Sequence, residues 1–294
     1  MFSVIIPTYN SSSYINKALD SILEQTINKE NIEIIIVDDN SNDIENLINV
    51  LSFYRHSLNV ELIINDVKGN ASISRNIGIK KARFDIICLL DADDYWSNNK
   101  LESGIKLLIN NNVVYSKLHR GTNEQVNNNT YSIIPQQAKK NTESLGEYLF
   151  ENKGIIQTSS LMYKKSDFKN VFFNEKLNRH QDYDFCLKLE SQNAVFTMDY
   201  ESITYWIILN EKTNAVDKGA NINFCVNWLK EYSIYLTERS ENYYIGKNMF
   251  LISIKEKSIF YWLRFSLSLG FFRCLKIFKI SISVIFSKLI SKVL

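Results

Sequence analysis

Asp91-Ala92-Asp93-Asp94 directly follows the apolar run Ile86 to Leu90 and crowds three carboxylates into one short stretch. Like charges this close repel one another, and removing them from water is costly, so such a turn asks for a cation. Hard carboxylate oxygens suit Mg²⁺ or Mn²⁺, and Mg²⁺ takes only one or two carboxylates while substrate phosphates complete its octahedron. The implied ligand is a metal together with a diphosphate, although the triplet alone would serve equally as a solvated acidic turn. Asp38-Asp39 closes another apolar run, Ile32 to Val37. A carboxylate there can accept hydrogen bonds from a base or ribose, or cap the helix that follows. Arg75-Asn76 lies near the start of a helical stretch, where positive charge and a helix N-terminus favour phosphate; a plain surface arginine fits the same place.

These groups need a scaffold that brings separate strand ends together, and the first ninety residues predict one. Ser3 to Pro7, Ile32 to Val37, Val60 to Ile64 and Ile86 to Leu90 read as strands. Between them Ile15, Ala18, Leu19, Ile22 and Leu23 recur at helical spacing, and Asn42 to Leu51 and Ser72 to Ala82 are helix-like. Continuous apolar strands are those buried on both faces, as in a parallel sheet between helices. The pattern β-α-β-α-β-α-β with right-handed crossovers predicts an α/β fold with a doubly wound, mostly parallel sheet, whose ligands sit outside the carboxyl ends of the strands. Further on, Lys100 to Ile109 reads as helix, Val113 to Leu118 as strand, Thr122 to Thr130 as a mobile loop, and Phe196 to Leu209 as one or two strands.

The length of 294 residues with 45% apolar content suits one large domain with an appendage, or two small domains. Cys88, Cys186, Cys225 and Cys274 are widely spaced, which points to reduced, buried thiols and a cytoplasmic setting. MFSVIIPTYN has no basic n-region and meets Pro7 early, so it predicts neither signal peptide nor anchor. Charge is uneven: residues 255–294 hold eight basic side chains against Glu256, for +7, and the overall +2 leaves −5 on the rest. An acidic body with a basic, apolar tail predicts an anionic membrane surface as partner and excludes nucleic acid. In that tail Phe271, Leu275, Phe278, Ile282, Ile285, Leu289 and Val293 would form one apolar stripe on a helix, with Arg273, Lys276, Lys279, Lys288 and Lys292 outside it. That is the pattern of a helix lying in the membrane interface, or of one packed on its own body or a partner subunit.

The series Val4-Ile5-Ile6-Pro7-Thr8-Tyr9-Asn10, Val37-Asp38-Asp39-Asn40-Ser41, Ser74-Arg75-Asn76-Ile77-Gly78 and Leu89-Leu90-Asp91-Ala92-Asp93-Asp94 resembles the family 2 glycosyltransferases in order and separation. The resemblance implies a GT-A fold: a nucleotide-sugar-binding half (1–96), an acceptor-binding half (97–210) and here a helical C-terminal region (211–294) whose membrane-associating tail covers about 255–294. It further implies that Pro7, Thr8, Tyr9 and Asp39 line a uridine site, that Arg75 approaches the nucleotide, and that Asp91, Ala92 and Asp93 hold ribose and a Mn²⁺ or Mg²⁺ ion, the metal falling to Asp93 and Asp91. Downstream, Arg179-His180-Gln181-Asp182-Tyr183-Asp184-Phe185 resembles the family's catalytic-base motif, with Gln181 where Glu is common. Asp182 would be the base, or else an ordinary acid favoured by a helix dipole. Gly154 to Lys165 resembles the segment that leads into this motif.

On these roles Asp182 takes the acceptor hydroxyl's proton as its oxygen attacks the anomeric carbon, and one displacement inverts configuration. The Gln-x-x-Arg-Trp motif and multiple spans of processive synthases are absent from the sequence, so single-sugar transfer is expected. The donor would be a UDP-hexose and the acceptor a polyprenyl-diphosphate-linked saccharide of O-antigen or capsule assembly, at the inner face of the cell membrane. A haloacid-dehalogenase-type phosphatase also uses strand-Asp-x-Asp, but normally continues with Thr or Val where this chain has Tyr95. A non-catalytic sugar-nucleotide-binding or membrane scaffold protein is the other alternative.

Overall fold

A computed structural model describes residues 1–209 and 221–293, with backbone alone over 288–293. The chain forms two compact units, Met1–Lys139 with Ile155–Asn214, and Lys140–Gly154 with Ala215–Leu294. The expected boundary at 210/211 lies outside the described residues.

In the first unit, β1 (Phe2–Thr8), α1 (Asn16–Leu23), β2 (Ile32–Asp38), α2 (Ile44–Tyr54), β3 (Asn59–Ile64), α3 (Ala71–Lys81) and β4 (Ile86–Leu89) follow the expected alternation. The strands lie in the order β3-β2-β1-β4, all parallel. Side-chain alternation explains the winding: Val4, Ile6, Ile34, Ile36, Cys88 and Leu90 share one core cluster with Ala18, Leu19, Ile22, Leu47 and Leu51 of α1 and α2. The intervening Ile5, on the opposite face, meets α3. Asn70 caps α3, its side chain accepting from Ser72 N and Ile73 N. A Cβ at Gly78 would collide with Ile5 Cγ2, so α3 approaches β1 only because residue 78 is glycine.

Beyond β4 the sheet changes character. β5 (Tyr95–Trp96), α4 (Lys100–Leu108), β6 (Val113–Gly121), α5 (Asn123–Asn127), β7 (Ser132–Ile134), β8 (Leu161–Lys164), α6 (Gln181–Ser191) and β9 (Phe196–Ile207) complete the unit. β8 runs antiparallel to β4 and to β6, β9 parallel to β6, and β5 antiparallel to β9, so the nine-stranded sheet is mixed. Parallel pairing is confined to the helix-linked strands β1 to β4 and to β6 with β9. Phe196 to Leu209 resolves as one strand with a bulge: Asp199 pairs with Ser116 and Ile203 with Lys117. The carboxylate of Asp199 holds the intervening residues by accepting from Glu201 N and Ser202 N. The stretch Thr122 to Thr130, expected as loop, carries α5, because Thr122 and Gln125 form a reciprocal capping box.

The second unit is helical among its described residues: α7 (Ile222–Tyr232), α8 (Glu238–Tyr243), a π-helical turn over Tyr244–Met249, α9 (Phe250–Lys255), α10 (Ile259–Ser268) and α11 (Phe271–Val293). All four cysteines are unbridged and buried. α11 docks through Cys274, Ile277 and Ser281, whose hydroxyl donates to Gly246 O at 2.8 Å. The anticipated stripe is a different face: Phe271, Leu275, Phe278, Ile282 and Ile285 are 42–66% exposed. Leu289, Val293, Lys288 and Lys292 lie outside the described side chains. Arg273 pairs with Glu241, and Lys276 with Glu238 at 3.2 Å, so these two cations are matched by acids of their own unit. Among the described residues no helix is long and apolar enough to cross a membrane.

The contact of Gly78 with Ile5 yields a direct test. Gly78→Val must lever α3 away from β1, and overpacking of this kind costs about 1–3 kcal/mol. Urea unfolding should show the lowered midpoint; an unchanged midpoint would mean that α3 does not rest on β1 as described.

Candidate active site

The carboxyl ends of β2, β1 and β4 are neighbours, so the register alone assembles three of the polar clusters. Thr8 lies opposite Asp38, and Asp39 N donates to Thr8 O at 2.8 Å. The two aspartates then divide their work. Asp38 is fully buried, accepting from Thr8 Oγ1 and from the Ser41 amide and hydroxyl, which fixes the turn. Asp39 uses Oδ1 to hold Gly69 N at 2.8 Å and Asn65 Nδ2 at 3.2 Å at the edge of the cleft. Tyr9 is 38% exposed with the Lys68 ammonium 3.6 Å from its ring centroid, a cation–π contact that gives this rim a positive, aromatic lip. Pro7 sits in β1 opposite Val37.

The acidic turn after β4 is the electrostatic centre. Arg75, in the first turns of α3, puts Nη2 2.5 Å from Asp91 Oδ1 and Nη1 3.0 Å from Gln181 Oε1 at the start of α6. Its buried Nε has no hydrogen-bond partner among the described residues, a donor left over for an incoming group. Burial, and next the Asp91 charge, push the Asp93 carboxyl up to about 7. Asp94 is fully buried, and burial followed by Asp93 and Asp91 raises its carboxyl well above the usual carboxylate range. It is anchored by Ser159 Oγ at 2.6 Å, Gln157 Nε2 at 2.8 Å and Ile207 N at 2.9 Å. Ser159 Oγ also accepts from Asp91 N at 2.9 Å. Tyr14, at the entry to α1, has its phenol raised by burial, with a further contribution from the Asp93 charge.

This turn fits a divalent cation. Asp91 and Asp93 repel one another at a site where burial already disfavours charge, and a cation would relieve both effects. Among the described residues no three His, Cys, Asp or Glu side chains converge to hold a metal by themselves. The coordination the protein offers is therefore partial, as for an ion completed by phosphate oxygens and water. Ala92 is buried in the core cluster with Trp96, so its side chain does not line the cleft.

At the start of α6, two acids again take different parts. Asp184 is fully buried, bonded to Asn174 N and paired with Lys188 at 2.7 Å. Asp182, whose Oδ1 accepts from Tyr183 N, feels both Arg75 and Asp91, which places it beside the acidic turn. Burial raises its carboxyl to about 6. His180, in left-handed conformation just before the helix, is held neutral, its ring driven down to about 3 by burial and then by Arg179. Gln181 clamps Arg75 from this side, its own Nε2 donating to Leu177 O.

The structure thus brings Thr8, Asp39, Arg75, Asp91, Asp93 and Asp182 to one side of the sheet, while Ala92 faces inward. Gln157, Ser159 and Lys68 escaped the motif reading. The first two lie in the Gly154 to Lys165 segment, where Gln157-Thr158-Ser159-Ser160 interrupts an otherwise apolar stretch; that was the available signal.

Residues 3–172 match the family profile described as Glycosyl transferase family 2. The amylovoran biosynthesis glycosyltransferase AmsB of Erwinia amylovora is 33% identical over 246 residues, covering 81% of this chain and 79% of the relative. WfgD of Escherichia coli, named a UDP-Glc:alpha-D-GlcNAc-diphosphoundecaprenol beta-1,3-glucosyltransferase, is 34% identical over 158 residues, covering 53% of this chain and 57% of the relative. Among solved structures, residues 1–349 of Staphylococcus aureus TarS in complex with UDP-GlcNAc superpose with a TM-score of 0.66, covering 90% of this chain and 78% of that one. At 21% identity this likeness concerns the fold alone.

Proposed function

This chain belongs to glycosyl transferase family 2 and has its α/β GT-A fold, and from that premise we propose that it transfers one sugar, with inversion, from a UDP-hexose to a hydroxyl of a lipid-linked saccharide during surface-polysaccharide assembly. One observation carries the mechanistic part: a carboxyl raised to about 6, Asp182, stands beside the Arg75–Asp91 pair. A base of that strength is ionised at neutral pH yet basic enough to accept a hydroxyl proton. The phosphatase alternative falls with the family assignment.

In this reading Pro7, Thr8, Tyr9 and Asp39 receive the nucleoside, with Asp39 offering a carboxylate to uracil or ribose and Tyr9 with Lys68 closing the rim. Arg75 supplies fixed positive charge to the leaving diphosphate, a preorganised effect that is often the largest catalytic contribution. Asp91 and Asp93 would hold Mn²⁺ or Mg²⁺; when bound, the ion would neutralise charge developing on the diphosphate. Ala92 contributes through its backbone only. Asp94, Gln157 and Ser159 keep the turn in place, and Asp182 accepts the proton of the attacking hydroxyl. The lipid-linked acceptor is supported by the substrate named for WfgD and the polysaccharide named for AmsB. The UDP donor is supported by WfgD's name.

Peripheral attachment to the inner face of the cell membrane is supported by α11, where Phe271, Phe272, Leu275, Phe278, Ile282, Ile285 and Phe286 are exposed beside the docked face. Apolar area would drive such attachment more than charge, since Arg273 and Lys276 are paired within the unit.

Four outcomes test this. Asp182→Asn should keep UDP affinity while turnover falls about 10² or more, the usual scale for a general base. In the wild type, kcat/KM should fall as pH drops through about 6, because protonation removes the base; an equal loss of UDP affinity in the variant would make Asp182 a binding group instead. Mn²⁺ should tighten UDP binding to the wild type but not to Asp93→Ala, as read by titration calorimetry, and full activity in excess chelator would end the metal assignment. Wild-type protein should co-sediment with phosphatidylglycerol vesicles. Burying a Phe is worth about 1.5–3 kcal/mol, so the double variant Phe272→Ser, Phe286→Ser should bind about tenfold or more weakly. Equal sedimentation of both proteins would assign that face to something other than lipid.

A further inference from the structure

A second cavity lies wholly within the first unit, apart from the nucleotide and proton-transfer groups, with a volume of about 530 Å³. One wall is aromatic, with Tyr95 of β5, Tyr205 of β9 and Tyr131 before β7, backed by the buried His119 of β6. Tyr95 stacks on Tyr205 with centroids 4.5 Å apart and planes 13° from parallel. His119 meets Tyr205 edge-on at 5.4 Å and stacks on Tyr131 at 4.1 Å. Because Tyr95 and Tyr205 are paired residues of the β5–β9 ladder, and His119 is buried, this wall is rigid before any ligand arrives. The facing wall is α1, which presents Lys17 and Asp20, together with its C-cap Glu24. Those three recur at helical spacing and are all exposed.

Each wall excludes ligand classes. A phosphate or nucleotide would meet Asp20 and Glu24 at close quarters, and like charge opposes it. A lipid chain would have to strip the remaining water from Glu24, from Lys17 with its one bond to Asn123 Oδ1, and from Asp20 with its one bond from the Tyr54 hydroxyl. A flat hydroxylated ring satisfies both walls: Tyr95 is covered by Tyr205 and has Lys17 Nζ 5.6 Å from its ring centroid, so the C–H face lies on Tyr131, stacked on His119 from behind, while the hydroxyls donate to the carboxylates and accept from the ammonium. The cavity volume falls within the range of small-ligand sites, about 300–1,000 Å³.

Its place in the chain gives it a purpose. Tyr95 follows Asp94 directly, and Tyr205 lies two residues before Ile207, whose amide holds the Asp94 carboxylate. On α1, Lys17 is one turn beyond Tyr14, which feels the Asp93 charge. The aromatic wall therefore grows out of the acidic turn itself. We propose that this cavity is a saccharide subsite that holds a sugar of the acceptor chain remote from the reacting hydroxyl. The assignment rests on the glycosyltransferase reading. It adds that an acceptor of two or more sugars is gripped at two points, with the Tyr95–Tyr205–Tyr131 wall selecting a ring with an open C–H face.

Saturation-transfer NMR with cellobiose and chitobiose at millimolar concentration tests it on the full-length protein. At least one of these disaccharides should bind the wild type, and Tyr131→Ala should weaken that binding about tenfold, the worth of a lost aromatic stack. Glu24→Gln, a change on an exposed helix face, should weaken it as well. Both variants should bind UDP as the wild type does, which shows that they are folded and that the donor site is separate. If neither disaccharide binds the wild type, or if both variants retain full affinity, the subsite does not exist. The glycosyltransferase reading fails by a different result, namely no UDP release from any UDP-sugar by the wild type, so the two failures are distinguishable.

Discussion

The first unit is organised around one electrostatic problem: three carboxylates within four residues at the end of β4, with Asp94 fully buried. Left alone they would repel one another and take up protons. The remedy comes from four distant parts of the chain. Arg75 from α3 neutralises Asp91, and Gln157 and Ser159 from the segment before β8 bond Asp94. The Ile207 amide at the end of β9 bonds it too, while Gln181 from α6 steadies the arginine. A buried polar cluster is tolerable only when its members are satisfied, so these segments cannot drift independently of the turn. That is why the mixed half of the sheet is as necessary to the site as the parallel half. β4, β8 and β9 deliver the turn, its hydroxyl and amide anchors, and a backbone donor.

The same principle separates the acids consumed by the fold from those proposed to act in the site. In each pair, one carboxylate is consumed by the fold. Asp38 spends its oxygens on Thr8 and Ser41, whereas Asp39 stands at the cleft. Asp184 is tied to Asn174 and Lys188, whereas its neighbour Asp182, among the described residues, is bonded locally to the backbone at the start of α6. Structural acids so placed are paired because an unpaired buried charge is costly. The remaining ones are available to a ligand, a metal or a proton.

Much of this was legible in the sequence. The apolar runs of β1, β2 and β4 announced a sheet buried on both faces, and the acids at their ends announced where a ligand would lie. What one sequence conceals is pairing over long separations. Gln157 and Asp94 are 63 residues apart, and Ile207 and Asp94 are 113 apart, and no local periodicity links such positions. The antiparallel insertion of β8 between β4 and β6 was hidden for the same reason. In Thr122 to Thr130 composition argued for loop, but the Thr122–Gln125 capping box, a purely local signal, outweighed it over one turn.

The tail shows where periodicity itself is ambiguous. On α11 the apolar residues form a broad arc, and the pattern alone identifies the richest stripe, Phe271 to Ile285, without saying which edge of the arc the protein keeps for itself. The choice is made by shape rather than hydrophobicity. Gly246 leaves no room for a Cβ beneath Ile277 O and Ile280, so the backbone of α11 comes close. The small side chain of Ser281 fits there and donates to the Gly246 carbonyl, with Ile277 and Cys274 filling the remainder. Docking by a narrow, small-residue edge leaves the bulky residues outward, the reverse of what a helix would do if burying its own largest side chains were the sole driving force. A fold that spends Ser and Cys on its own packing and leaves phenylalanines in water has a use for them elsewhere. For an enzyme whose proposed acceptor is anchored in lipid, the use we propose is the membrane surface.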